Sequence, residues 1–179
     1  MNQSKSTHFL AIGIIISLVI VALSGGVFFL IYKGPREARQ TLIVEAPATW
    51  KVEFKGDKGM QFYAVTRKEG DTPLLMFSKW PAPGNVKDIP EQIEAMAKGF
   101  AGMAKDNKDL KHKTDIYKIE EIVGDEFSGS FVEFEREGGV TLTMFMIGDA
   151  EGIWNGQFTG TKERWAEALV TLKSLKRKG

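Results

Sequence analysis

The feature that most constrains this chain is FLAIGIIISLVIVALSGGVFFLIY, residues 9–32, a run of 24 residues without a charge. About 20 apolar helical residues, at about 1.5 Å each, cross a hydrocarbon layer of about 30 Å, so the segment is long enough to span with some tilt. A removable export signal has a shorter apolar region, roughly 7 to 15 residues, closed by a small-x-small site. Here Ala22, Ser24 and Gly25 lie inside the apolar run, and Val27 to Tyr32 continue it. The sequence has no Cys, which removes the residue a lipoprotein attachment needs. Residues 9–32 are therefore read as a retained single-pass transmembrane helix, with a short tail (1–8) before it and a juxtamembrane linker (33–40) after it.

Ser24, Gly25 and Gly26 are small, and small residues let helix backbones approach closely. They are the candidate contact with another membrane helix. Tyr32 and Lys33 suit the membrane interface, together with Arg36 and Arg39, and Gly34-Pro35 ends the helix. The two flanks give opposite orientations. Lys33, Arg36 and Arg39 outweigh Lys5 and place the carboxyl side in the cytoplasm by the Lys/Arg rule. A short positive tail ahead of an apolar run instead has the form of an uncleaved export signal. The expectation adopted is an extracytoplasmic domain, in the cell envelope of a bacterium.

Residues 41–179 have the length of one domain. They carry 20 Lys and Arg against 22 Asp and Glu. That balance is no footprint for nucleic acid. Without Cys there is no disulfide, thiolate nucleophile or Cys-based metal site. The tail cations Lys173, Lys176, Arg177 and Lys178 follow a predicted helix, where they suit the negative end of its dipole; contact with an anionic lipid or partner is the other reading.

Alternation with period two predicts strands in 41–56, broken at Pro47, and in 59–68. LLMFSKW (74–80) is more continuously apolar and fits a central strand. Asp88 and Glu91 form a capping box for a helix with Ile89, Ile93, Met96, Ala97, Phe100 and Met103 on one face. Ala95, Gly99 and Gly102 form a second, small row on that helix. Two interior glycines cost about 1 kcal/mol each against Ala, which predicts close packing along that row. A solvated connection (105–115) and a strand (116–124) follow. The hairpin at 129–147 turns at Gly138-Gly139. A loop Gly138-Gly139-Val140 sets Val132, Phe134 and Arg136 opposite Met146, Met144 and Leu142. It sets Glu133, Glu135 and Glu137 opposite Phe145, Thr143 and Thr141 on a face turned mostly to water. A strand through Trp154, Gly156 and Phe158 precedes a last helix opened by Thr161, whose inner side is Trp165, Ala168, Leu169, Leu172 and Leu175. Strands joined by short turns, with one helix in the middle and one at the end, make an α+β domain: an antiparallel sheet flanked by helices.

Four features carry a resemblance. P-x-x-W (Pro47, Trp50) opens a strand. A helix-containing crossover follows. A meander ends in aromatic-x-G-x-F (Trp154, Gly156, Phe158). The last helix reads E-x-W-x-x-x-L (Glu163, Trp165, Leu169), continued by Leu172 and Leu175. Over residues 41–176 the chain resembles the PsbP-like superfamily, which includes the extrinsic photosystem subunit, a Ran-binding nuclear transport factor and bacterial envelope proteins. The resemblance implies a sandwich of helices about an antiparallel sheet and a non-catalytic accessory or interaction module. The group's links to photosynthetic and electron-transport complexes come with it. These motif residues are core and turn residues, and none carries a catalytic role.

No catalytic, metal or cofactor set emerges from the residues. His8 and His112 lack an orienting neighbour. Glu133, Glu135 and Glu137 read as a solvated face, and Asp149 to Glu151 lacks further ligands for a cation. Glu120, Glu121, Asp125 and Glu126 form an acidic patch, either solvated or docking a basic partner. Trp50, Trp154 and Trp165 sit in core patterns. Trp80, framed by Pro81 and Pro83, is the candidate partner contact, because a rigid aromatic loop loses little entropy on binding. The expected function is a non-enzymatic, membrane-anchored accessory or scaffolding subunit whose partners are the membrane and other membrane proteins. The alternative is a tethered binding module for a small apolar or lipid-like ligand, lined by Met96, Met103, Met144 and Met146.

Overall fold

Where apolar and polar residues alternate, the chain forms strands: β1 (Leu42–Ile43), β2 (Trp50–Asp57), β3 (Met60–Arg67), β4 (Pro73–Lys79), β5 (His112–Lys113), β6 (Ile119–Val123), β7 (Ser128–Arg136), β8 (Thr141–Asp149), β9 (Gly152–Gly160) and β10 (Lys176–Arg177). Where the apolar spacing is three and four, it forms helices α1 (Ile89–Asp106) and α2 (Lys162–Lys173). These come from a computed structural model that describes residues 40–57, 60–69, 73–80, 84–106, 112–113, 117–136 and 139–179. All of these belong to the unit Glu37–Gly179, one of two into which the chain divides. The membrane-helix segment (9–32), with Ser24, Gly25 and Gly26, and the interface residues Tyr32, Lys33, Arg36 and Arg39 lie outside the described residues. Among the described residues no helix is long and apolar enough to cross a membrane.

The main sheet runs β2-β3-β4-β9-β8-β7, with β5 and β6 both on the outer side of β7. Every pair is antiparallel. The apolar stretch 74–80 accordingly provides β4, enclosed by β3 and β9. β1 and β10 form a separate two-stranded ribbon that joins the two ends of the domain. The fold is α+β and mostly sheet.

Alternate residues point to opposite faces, and the two helices take one face each. On the α2 face, Phe131, Phe145, Gly156, Phe77, Tyr63 and Phe54 form one row across β7, β8, β9, β4, β3 and β2. Trp165 of α2 lies over Phe131, Phe145 and Phe158, with ring centroids at 5.1, 6.2 and 5.4 Å. Gly156 is required in this row, because an added Cβ would strike the Met76 carbonyl and the Phe145 and Phe77 side chains. On the α1 face, Ile89, Ile93, Ala97 and Phe100 pack on Val132, Phe134, Met144 and Met146.

Three expectations are corrected. The β7–β8 register pairs Val132 with Met144, Phe134 with Leu142 and Glu133 with Thr143, two residues away from the expected pairs. A shift of two keeps every side chain on its face, so the apolar pattern cannot choose between the two registers. The observed one places Phe131 opposite Phe145 beneath Trp165. Gly139, with φ 77°, supplies the left-handed residue the loop needs. The second correction concerns the glutamate face: Glu135 is exposed as expected, but Glu133 is half-buried and the β8 residues of that face are core. Thr141, Thr143 and Phe145 are 2, 0 and 0% exposed there, because α2 covers it. The third concerns Gly99 and Gly102. Both are exposed, and an added Cβ at either meets nothing within 4 Å. α1 itself begins through a 3-10 turn, Val86–Asp88, capped by Asn85, whose Oδ1 accepts from the Lys87 N–H at 3.0 Å.

Candidate interaction surface

Three places in the described residues bear on recognition: the join between the chain ends, the Trp80 corner, and the outer edge of β6.

The join is built by the tail cations. Lys176 and Arg177 form β10 opposite Ile43 and Leu42, so they are strand residues and not a free basic tail. The Arg177 guanidinium grips Asp149 with two bonds, Nε to Oδ2 at 2.6 Å and Nη2 to Oδ1 at 2.5 Å. Asp149 also accepts from the amides of Glu151 and Gly152 at 2.9 and 3.1 Å, which closes the β8–β9 turn. Burial pushes the Asp149 carboxyl up. The Arg177 bonds and the two amides outweigh that and hold it below its ordinary value. The guanidinium lies 5.5 Å from the Phe127 ring centroid, and the Arg177 N–H donates to Glu126 at 2.8 Å. On the β1 side, the Leu42 N–H donates to the Tyr63 hydroxyl at 3.1 Å, and Thr41 Oγ1 donates to Gln61 Oε1 at 2.5 Å. The first described residues of the domain are thereby fixed to both the sheet and the C-terminus.

Trp80 is half-buried against the α1 core, and its backbone N–H donates to the Ile153 carbonyl at 2.7 Å. It closes that core at one corner. Pro81 and Pro83 lie outside the described residues. The other tryptophans are core residues: Trp50, Trp154 and Trp165 are 4, 0 and 5% exposed. The P-x-x-W stretch is a turn, in which the Trp50 N–H donates to the Pro47 carbonyl at 2.8 Å while Nε1 donates to Glu167 Oε2 at 2.9 Å.

The acidic patch falls on β6 and the turn after it. Glu121 and Val123 point to the α1 face, opposite Ser130 and Ser128, while Glu120 and Ile122 point to the α2 face, opposite Phe131 and Gly129. A groove of about 220 Å³ lies along this edge, lined by Val86 and Pro90 on one side and by Glu121, Val123, Ser128 and Ser130 on the other. It owes its depth to Ser128, Gly129 and Ser130, a run of small residues that sequence reading passed over because alternation and charge drew attention to Glu133 and Glu135.

Glu133 itself is half-buried near the start of α2. Burial raises its carboxyl above the ordinary value; Lys162 lowers it and Glu120 raises it further. Among the described residues no group of three His, Cys, Asp or Glu is placed to hold a metal ion. His112 lies in β5 opposite Arg136. No family model matches the chain, and no curated protein matches it.

Proposed function

We propose that this chain is a non-enzymatic, membrane-anchored accessory or scaffolding subunit of a larger membrane protein complex. In this reading a PsbP-like domain is carried on the extracytoplasmic side by the helix 9–32. The observation that carries the reading is the join. The chain leaves a charge-free run of 24 residues and, after an eight-residue linker, reaches a strand locked by β10, Tyr63 and the Arg177–Asp149 pair. The attachment end of the domain is thereby part of its own core. Tethering makes a second contact effectively intramolecular, so a modest surface suffices for a stable complex. The motifs behind the resemblance have physical roles that fit it: a turn at Pro47–Trp50, room for two rings at Gly156, and a lid over the sheet at Trp165. The ligand-binding alternative needs space between α1 and the sheet. Met144 and Met146, 3 and 0% exposed, are packed there among Ile89, Ile93 and Phe100, which favours the subunit reading.

The test is purification of the tagged full-length chain in a mild nonionic detergent. The expected result is that the chain resists alkaline extraction from membranes and elutes as a complex with one or a few membrane proteins in fixed ratio. Release by alkali, or elution as a lone monomer, would overturn the reading. Protease added to intact spheroplasts should digest the domain; protection would place it on the cytoplasmic side.

A further inference from the structure

Among the described residues β6 is joined to the sheet only through β7. Every second residue of such an edge turns its N–H and C=O outward, ready to pair with an added strand. The opposite edge, β2, is guarded. It carries Lys51 and Lys55 on either side of Glu53, which neutralises them at 2.5 and 3.9 Å, and edge lysines oppose strand addition. The charged residues within β6 are carboxylates, Glu120 on one face, where the exposed Lys118 lies 3.4 Å from it, and Glu121 on the other, with Asp125 and Glu126 at its end. Apolar surface lies beside these charges: Val123 is 66% exposed, and Val170 is 63% exposed on α2, one turn before Lys173, whose carbonyl accepts from Asp125. Asp88 and Glu91 at the start of α1 offset the positive end of that helix beside the groove.

We propose that the outer edge of β6 is a strand-addition site for an extended segment of a protein partner in which two adjacent basic residues, one for each face, are flanked by small apolar ones. The proposal rests on the accessory-subunit reading. Main-chain bonds to β6 supply the pairing. A basic side chain on each face of the added strand meets Glu120 or Glu121 as an opposite-charge cross-strand neighbour. The groove takes the longest of these side chains, its stem against Val86, Pro90 and Val123 and its cation at Glu121.

The experiment uses the full-length chain in nonionic detergent and two end-blocked ten-residue peptides of Val and Thr that differ only in the central pair, Lys-Lys in one and Glu-Glu in the other. The Lys-Lys peptide is expected to bind at least about ten-fold more tightly, as two favourable charge pairs replacing two unfavourable ones would give. It should slow amide hydrogen exchange in residues 119–123 while leaving β2 unchanged. The double variant Glu120→Lys/Glu121→Lys should reverse the preference, and Glu120→Gln/Glu121→Gln should abolish it. Equal binding of the two peptides, protection at β2 instead, or a preference that survives the charge reversal would overturn the proposal. Any of these results, with co-purification of a membrane partner intact, would count against the β6 site and leave the subunit reading standing.

Discussion

The two faces of the sheet are closed by different means. On the α2 face the apolar surface is continuous from Phe54 at one edge to Phe131 near the other. The whole chain is used to cover it: α2, Leu42, and the residues around the β1–β10 ribbon. On the α1 face the core under the helix ends at Ile153 of β9, and beyond it apolar and polar residues are mixed. α1 packs over β6, β7 and β8. The next residues across from Met144 are Gln157, Met76, Ala64 and Glu53; those across from Met146 are Asn155, Ser78, Phe62 and Lys55. Ser78 Oγ donates to Asn155 Oδ1 at 3.3 Å in this half. The α2 face is thus closed by a continuous aromatic core, and the far half of the α1 face by a mixture that includes the buried Ala64, Thr66 and Gln157.

The sharpest way to break that comparison is to make the same change on both faces. Phe145→Ala, at a position 0% exposed under Trp165, is expected to cost about 3–5 kcal/mol, the range for buried aromatic truncation. Phe62→Ala, half-buried on the polar half of the other face, is expected to cost about 1 kcal/mol. Urea midpoints of the two variants measure the gap. Equal costs would mean that Phe62 is covered as fully as Phe145, and the two faces would be energetically alike.

Much of this arrangement was legible before the coordinates. Period-two alternation located β2, β3 and the β7–β8 hairpin, a continuous apolar run located β4, and spacings of three and four located both helices; the end of α1 and β5 fell inside the stretch 105–115 that reads as a solvated connection. Registry was less legible. The β7–β8 pairing differs from the expected one by two residues because a two-residue slip preserves every face, so only the ring packing of Phe131, Phe145 and Trp165 selects it. The burial of the glutamate side of β7 was hidden for a related reason. Glu133 and Glu135 argued for water, whereas their buried neighbours on that face belong to β8 and α2. Arg177 looked like one of four tail cations, and nothing local in the sequence announces a partner, Asp149, 28 residues away. The groove at β6 is a product of small residues, which leave no periodic signal.

The α2 face also depends on its clasp, and pH separates the clasp from the core. Arg177 and Asp149 side chains are 20 and 15% exposed, so Arg177→Gln is expected to cost about 1–3 kcal/mol near neutrality, by leaving a partly buried carboxylate short of its charged donor. The folded-state value of Asp149 lies below its ordinary one. Its contribution is therefore fully present above about pH 4, the ordinary Asp range, and is lost as pH falls through the folded value. The difference in urea midpoint between wild type and Arg177→Gln should be largest near pH 7 and shrink toward pH 3. A difference that stays constant with pH would mean that Arg177 acts through its contact with Phe127 alone.

The smallest expected effect has the opposite sign and falls on the outer side of α1. Gly99 and Gly102 are exposed interior helix residues, and a Cβ at either meets nothing within 4 Å. Neither glycine has a positive φ. Ala at each position removes backbone freedom from the unfolded chain without disturbing the folded one, a gain of about 0.5–1 kcal/mol per site. The double variant Gly99→Ala/Gly102→Ala should therefore raise the thermal midpoint of the full-length chain in nonionic detergent. The same change in the purified complex adds the decisive comparison. If the outer side of α1 is open there too, the gain carries over. If it is lost, or complex formation weakens while the isolated chain is stabilised, a partner lies against Ala95, Gly99 and Gly102. The α1 side of the sheet would then be closed by a second protein where the α2 side is closed by the chain's own ends.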